Sequence, residues 1–362
     1  MSDTARPVQV RDDLRGIAPY GAPQLDVPVR LNTNETATAP PEKFVTELAA
    51  QLATLTLNRY PDRQHRQLRE QLALRVGKTA DELWAANGSN EILLQLLQAY
   101  GGPKRTLMFP HPSYSMYPEL CRTTLTKAVS FDLDDGFELS VATAINAAIT
   151  HNPQIIIVPS PNNPVGTVMT HEAIRALHDN TQALVIVDEA YIEFAAPEKT
   201  VLPLMAELDR LVIVRTFSKA FRLAGLRLGY LIAPAFVIED LQSVRLPYHL
   251  DSIKQLAAIT AIAHEQDFLT HRQQVAEERE RLTGVLRQRL DVTVYASAAN
   301  FFLLRCTTVN LFARLLEQGI LVRDFSTVAG LAGCVRVTIG TPDENDKFLT
   351  AVAAVLDTPE RT

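Results

Sequence analysis

Three short runs constrain this chain most: Ile155–Pro159 (IIIVP), Ala183–Val187 (ALVIV) and Leu211–Val214 (LVIV), apolar at every position and rich in β-branched residues. A strand with one wet face alternates apolar with polar, so unbroken runs predict strands buried on both faces. Helical patterns at 141–149 and 171–178 alternate with them. That order predicts an α/β architecture, a parallel sheet between layers of helices. Ligands of such sheets bind just past the carboxyl ends of the strands. The polar residues gather there. After IIIVP comes SPNNPVG (Ser160–Gly166), with Asn162 and Asn163 held between prolines. DEAYIEF (Asp188–Phe194) follows ALVIV, and RTFSKAF (Arg215–Phe221) follows LVIV. Three strand ends thus deliver an amide, a carboxylate with a phenol, and an amine.

The amine is Lys219, set among Phe217, Ala220, Phe221 and Leu223 in a turn between LVIV and a second apolar run, Leu228–Ile232. An apolar pocket lowers a lysine's proton affinity until the free amine can act as a nucleophile, here towards a Schiff base. Arg227, eight positions on, is a fixed cation suited to a phosphate. A lone Ser-Lys pair with a nearby arginine would equally suit a surface loop, so the rest of the chain has to decide.

Residues 1–31 carry Pro19, Gly21, Pro23 and Pro28 without periodicity and predict an extended arm joined to a smaller C-terminal domain. Pro40 and Pro41 open a helix running to about Leu55, and a second spans Gln67–Val76. Between them Pro61 forbids helix and presents Tyr60 on a turn. Asn87-Gly88-Ser89-Asn90 precedes an apolar helix, 91–100, where Ser89 and Asn90 can cap and the first-turn N–H groups form an anion site. Neither GxGxxG nor a P-loop is present, so a phosphate would be held by such a helix start plus side chains. Ser113–Tyr117 opens a further helix, and Tyr114 could lie flat on an aromatic ring. Beyond Pro247 come helices at 253–263 and 268–290, the latter with a stripe of Val275, Leu282 and Val285/Leu286, then short strands with two helices. The expected division is an arm (1–31), a large domain (32–250) and a small α+β domain (251–362).

The acidic and basic residues nearly balance at a net charge of −6, with no basic tract, which disfavours a nucleic-acid partner. No apolar segment reaches membrane-spanning length, and the polar N-terminus does not read as a signal peptide. Cys121, Cys306 and Cys334 are odd in number and widely spaced. They predict reduced core residues of a cytoplasmic protein, with no metal site.

A phosphorylated pyridine aldehyde requires an amine for the aldehyde carbon, a carboxylate for the ring nitrogen, donors for the ring oxygen and a phosphate cup. Lys219, Asp188, Asn163 with Tyr191, and Gly88, Ser89 and Asn90 with Ser218 and Arg227 supply all four. With these motifs, LNTNE (Leu31–Glu35), NRYPD (Asn58–Asp62), RTFSKAFRLAGLRLGY (Arg215–Tyr230), LVRD (Leu321–Asp324) and VRVTIG (Val335–Gly340), the sequence resembles the fold-type I aminotransferases that use pyridoxal 5′-phosphate. Within them it is similar to the histidinol-phosphate aminotransferase family, from Tyr20 to about Leu356.

The resemblance implies that Lys219 bonds the cofactor and moves a proton between substrate and cofactor. It gives Asp188 the pyridine nitrogen, Asn163 and Tyr191 the ring oxygen, and Tyr114 the ring face. Ser89, Asn90, Thr216, Ser218 and Arg227 would bind the phosphate, with Tyr60 arriving from the second subunit of a homodimer. Tyr20, Asn34, Arg323 and Arg336 would bind histidinol phosphate or glutamate and 2-oxoglutarate. Read without the resemblance, Arg323 is an ion-pair partner of Asp324 and Arg336 an exposed strand residue. Val165 stands where relatives carry Thr, with little effect expected, and His111 and His249 are loop or core residues. Transamination of an aromatic amino acid, or decarboxylation of a phosphorylated one on the same fold, are the competing activities.

Overall fold

The computed structural model describes residues 8–18 and 21–357. Its first strand is β1 (Val29–Arg30), followed by helices α1 (Glu42–Leu52) and α2 (Arg66–Val76). The main sheet then forms from β2 (Leu83–Ala86), β3 (Thr106–His111), β4 (Lys127–Asp132), β5 (Ile155–Pro159), β6 (Leu184–Asp188), β7 (Leu211–Thr216) and β8 (Gly229–Ile232). Its order is β2-β8-β7-β6-β5-β3-β4, parallel except for β8, which runs against both neighbours.

The continuous apolar runs split by parity, as the two-residue period of a strand requires. Ile156, Val158, Val185, Val187, Leu211 and Ile213 pack on one face, against α5 (Val141–His151), α6 (His171–Asp179) and α8 (Ser252–Ala263). Ile155, Ile157, Leu184, Ile186, Val212 and Val214 pack on the other, against α3 (Ser89–Tyr100), α4 (Met116–Thr124) and α7 (Ala235–Val244). Ser140, Thr170 and Asp251 each accept a backbone N–H at the start of α5, α6 and α8. Each removes an orphan donor from its helix end.

Beyond α9 (Glu265–Leu286), an antiparallel sheet of order β12-β13-β10-β9 forms from β9 (Thr293–Val294), β10 (Phe301–Arg305), β12 (Arg323–Asp324) and β13 (Cys334–Thr338). Helices α10 (Leu311–Glu317) and α11 (Pro342–Leu356) cover it, and β11 (Ile320–Leu321) pairs in parallel with β1. The N-terminal arm therefore ends as a strand, not as a loose surface segment. Thr338 N donates to Leu31 O, which carries the chain straight from that pairing into LNTNE.

Several elements differ from expectation. The long helix begins at Glu265 and stops at Leu286. Glu265 and Asp267, which look like loop residues, occupy its first turn, where acids suit the helix dipole. Of the expected stripe, Val275, Leu282 and Leu286 are buried while Val285 is exposed. Strand β4 is an additional edge strand, mostly wet and without an unbroken apolar run to signal it in the sequence. Helix α7 starts without a side-chain cap, with two residues between it and the apolar β8, so the sequence there carries no capping signal. At α3, Gly88 is the N-cap and Ser89 the first helical residue; neither Ser89 nor Asn90 caps, and Glu91 Oε2 instead accepts the Asn87 N–H at 3.0 Å. All three cysteines are free and buried.

One ion pair ties the central strands together. Glu189, wholly buried, accepts from Arg215 Nε at 2.9 Å, from Thr200 Oγ1 at 2.8 Å and from Val201 N at 2.7 Å. Removing one member leaves the other charged and desolvated. Arg215→Leu is therefore expected to destabilise the fold by about 3–5 kcal/mol, read from the urea midpoint of the cofactor-free protein. A change below about 1 kcal/mol would show that the pair is dispensable.

Candidate active site

A cavity of about 490 Å³ opens at the carboxyl ends of β5, β6 and β7. Residues 32–35 and Arg323, Phe325 and Arg336 from the second sheet form its other wall. The strand-end positions follow from the apolar runs: each strand stays buried until its last residues, then turns where the sheet stops.

Lys219 projects from the β7–β8 turn, anchored on either side by Phe217, Ala220 and Phe221, each about 1% exposed. Its Nζ donates to Thr33 O at 3.1 Å and Asn34 O at 2.9 Å. Desolvation, followed by the charge of Arg336, pushes its pKa down to about 7, with Glu35 opposing and Arg227 adding. Near neutral pH a large fraction of this amine is free.

Asp188 ends β6 inside the cavity wall, only 5% exposed. Burial raises its pKa to about 6, against the hydrogen bonds from Tyr117 and Ala190 N. Those run from Tyr117 Oη to Oδ2 at 3.0 Å and from Ala190 N to Oδ1 at 3.2 Å. Among the described residues a carboxylate so held has no cationic partner, which a protonated ring nitrogen would supply.

Tyr191 and Asn163 sit on the side towards the second sheet. Tyr191 Oη accepts from Asn34 Nδ2 at 3.0 Å, and its ring meets Phe301 edge-on at 5.0 Å. Arg336 Nη1 donates to Asn163 Oδ1 and Nη2 to Asn32 O, both at 2.6 Å. At 6% exposure Arg336 is not the exposed strand residue that its sequence alone allows. Asn34 lines the cavity, yet its side chain is engaged by Tyr191 and by Thr338 Oγ1 at 3.1 Å.

At the far end, the start of α3 meets the β7–β8 turn. A Cβ on Gly229 would lie 2.5 Å from Ser89 N, and one on Gly88 would lie 3.0 Å from Arg227 Nη2. Glycine at both positions, with φ of +91° at Gly88, lets the backbone and the guanidinium close on the helix start. Arg227 Nη1 donates to Ser218 Oγ at 3.3 Å, and Ser218 N donates to Thr216 Oγ1 at 3.1 Å. Ser89, Asn90, Thr216, Ser218 and Arg227 all line the cavity, as an anion cup at a helix N-terminus should. Tyr114 lines it too, its Oη accepting from Asn90 Nδ2 at 3.3 Å.

Two expected residues, Gly88 and Tyr60, are absent from the lining, and a third is not described. Gly88 shapes the cup without lining it, and Tyr20 falls outside the described residues. Tyr60 is 80% exposed, away from its own chain's cavity, with its ring stacked on Tyr248 at 4.4 Å. Arg323 lines the cavity and donates to Gly21 O at 3.4 Å; it forms no ion pair with Asp324, which accepts from Ser326 N. His111 and His249 contact the carbonyls of Ala329 and Ala85, outside the cavity. The sequence reading overlooked Tyr117 and Asn32. Tyr117 is the second tyrosine of SYSMY, three positions after Tyr114, and that repetition is the signal the sequence offers.

Because the amine loses its proton near pH 7, the attachment of an aryl aldehyde to Lys219 in the cofactor-free protein should accelerate through that value. Borohydride trapping and peptide mapping would follow it; a rise only near 10.5, the ordinary lysine value, would refute the lowered affinity. The sign for stability follows. Between about 7 and 10.5 the unfolded chain holds a proton that the folded one does not, so this group's contribution to stability grows with rising pH there.

The model of the "Aminotransferase class I and II" family matches residues 27–352. The chain is 42% identical to the histidinol-phosphate aminotransferase of Corynebacterium diphtheriae, over 97% of this chain and 98% of that one. It is 44% identical to the enzyme of the same name from Frankia casuarinae, over 96% and 90%. Its fold matches the histidinol-phosphate aminotransferase of Sinorhizobium meliloti, solved in complex with pyridoxal-5′-phosphate, with a TM-score of 0.87 at 20% identity over 98% and 99% of the two chains. By sequence along nearly its whole length, the chain belongs to the class I and II aminotransferases.

Proposed function

We propose that this aminotransferase exchanges the amino group of histidinol phosphate with 2-oxoglutarate, giving imidazole acetol phosphate and glutamate in histidine biosynthesis, with pyridoxal 5′-phosphate as cofactor. One observation carries the reading. A single cavity is lined by a lysine of lowered proton affinity, a buried carboxylate with no cationic partner among the described residues, and a helix start closed by an arginine and two glycines. Relatives named for this activity at 41–44% identity over almost the full chain support the substrate.

The residues present fit the cofactor: each of its polar ends meets a complementary group. Bound there, it supplies an electron sink for the carbanion at the substrate's α-carbon. Lys219 holds it and carries a proton to and from that carbon. Asp188 keeps a proton on the ring nitrogen, and Asn163 and Tyr191 donate to the ring oxygen. Tyr114 covers the ring, while Ser89, Asn90, Thr216, Ser218 and Arg227 neutralise the phosphate. Tyr20, Asn34, Arg323 and Arg336 receive the substrates. Histidinol phosphate presents a phosphate dianion and glutamate two carboxylates, and a guanidinium fork accepts either. Arg336 is held for that role by Asn163 and Asn32, which accept from its two terminal nitrogens.

We read residues 32–250 as the cofactor-binding domain and 251–362 as a smaller one that supplies both arginines, with α8 packed back onto the large sheet and the arm of 1–31 joined to the smaller domain. The reading includes a homodimer in which Tyr60 reaches a second copy's phosphate cup; the exposure of Tyr60, stacked on Tyr248, and of Leu57 and Leu246 supports it. No described helix is long and apolar enough to cross a membrane. Three buried, unbridged cysteines accord with work in a reducing cytoplasm.

The loaded enzyme should lose its yellow absorbance much faster with histidinol phosphate than with phenylalanine. Faster reaction with phenylalanine would reassign it to aromatic amino acids, and release of carbon dioxide from a phosphorylated amino acid would make it a decarboxylase. Mixing Lys219→Ala protein with Tyr60→Ala protein should restore activity, since one site of the mixed dimer keeps both groups. No gain on mixing would place Tyr60 outside the site.

A further inference from the structure

We propose that Tyr117 is a positioning residue of this reaction, its hydroxyl holding Asp188 in the ionised form that keeps the proton on the cofactor's ring nitrogen. This rests on the cofactor reading above and extends it to a residue no motif singled out.

Among the described residues, Tyr117 is the one side chain that hydrogen-bonds Asp188, at 3.0 Å. The other bond to the carboxylate comes from the main chain at Ala190 N, fixed by the turn that follows β6. Each oxygen thus receives one donor and keeps a lone pair for another. Tyr117 has no accessible surface and sits on the first turn of α4, its ring edge-on to Tyr114 at 5.6 Å and tilted on Phe109 at 5.8 Å. The aromatic that covers the ring and the phenol that serves the ring's carboxylate therefore sit three residues apart and in contact.

The chemistry has one sign. A donor stabilises the carboxylate and lowers its hold on a proton, so the proton shared with the ring nitrogen stays on nitrogen. Burial and the facing Asp188 push the phenol's own pKa well above its usual value, so it donates across the working pH range. The other charges near Asp188 are accounted for. Glu189, its neighbour, raises the carboxylate's proton affinity but is itself paired with Arg215. A buried tyrosine needs a hydrogen-bond partner for packing reasons alone, so the test must read the proton and not merely the fold.

The test is ring-nitrogen NMR of protein loaded with ¹⁵N-labelled pyridoxal phosphate. Tyr117→Phe should shift the partition of the shared proton towards the carboxylate by about tenfold, equivalent to one pKa unit, and move the signal towards unprotonated pyridine. A fluorotyrosine placed at 117 alone, a stronger donor of nearly the same shape, should move it the opposite way, which covers the case in which the phenylalanine variant does not fold. Phe109→Leu, which loosens the same packing and keeps the hydroxyl, should leave the signal in place. A wild-type signal in Tyr117→Phe, or an equal displacement in Phe109→Leu, overturns the proposal. Asp188→Asn tells this from a deeper failure. If it too leaves the nitrogen protonated, the role of Asp188, and with it the proposed cofactor chemistry, falls.

Discussion

Desolvation is the interaction on which this structure turns. An amine and a carboxylate placed in water would keep their ordinary charges and do little chemistry near neutral pH. Withdrawn to the ends of strands buried on both faces, both shift towards neutrality, Lys219 to about 7 and Asp188 to about 6. Their titration ranges then lie close to working pH, where a group gives and takes protons most readily. The rest of the large sheet maintains that placement. The Glu189–Arg215 pair fixes adjacent strands behind the site, and Phe217 and Phe221 plug the turn on either side of the lysine.

Much of this was legible in the sequence because apolar continuity and chain order are local signals. Strands β5, β6 and β7 announced themselves, and each handed its polar residues to the one place where a parallel sheet binds ligands. What escaped depended on partners distant in the chain. The half-wet edge strand β4 has no pattern of its own, and β1 is a strand only because β11 accepts it. The contacts of the Asn34 side chain with Tyr191 and Thr338, 157 and 304 residues away, have no local signal. Tyr117 was missed for the same reason: its partner lies 71 residues further on.

LNTNE is the seam of the molecule. Its backbone receives Lys219, Arg336 and Asn300, and its side chains reach Tyr191 and Thr338, so residues of both sheets converge on five positions. Asn34 takes φ of +54° there, a conformation that asparagine tolerates better than most residues.

Strand β8 runs against its neighbours, and that reversal divides the labour of the site. A parallel crossover would send the chain away after Lys219. The antiparallel return instead brings Arg227 and Gly229 back to the helix start, so one continuous ribbon carries both Lys219 and Arg227 into the wall of the same cavity. The span between the two is then set by covalent geometry. Rearrangements around Arg323 and Arg336, which belong to the other sheet, can reshape their side of the cavity while the Lys219–Arg227 separation stays the same.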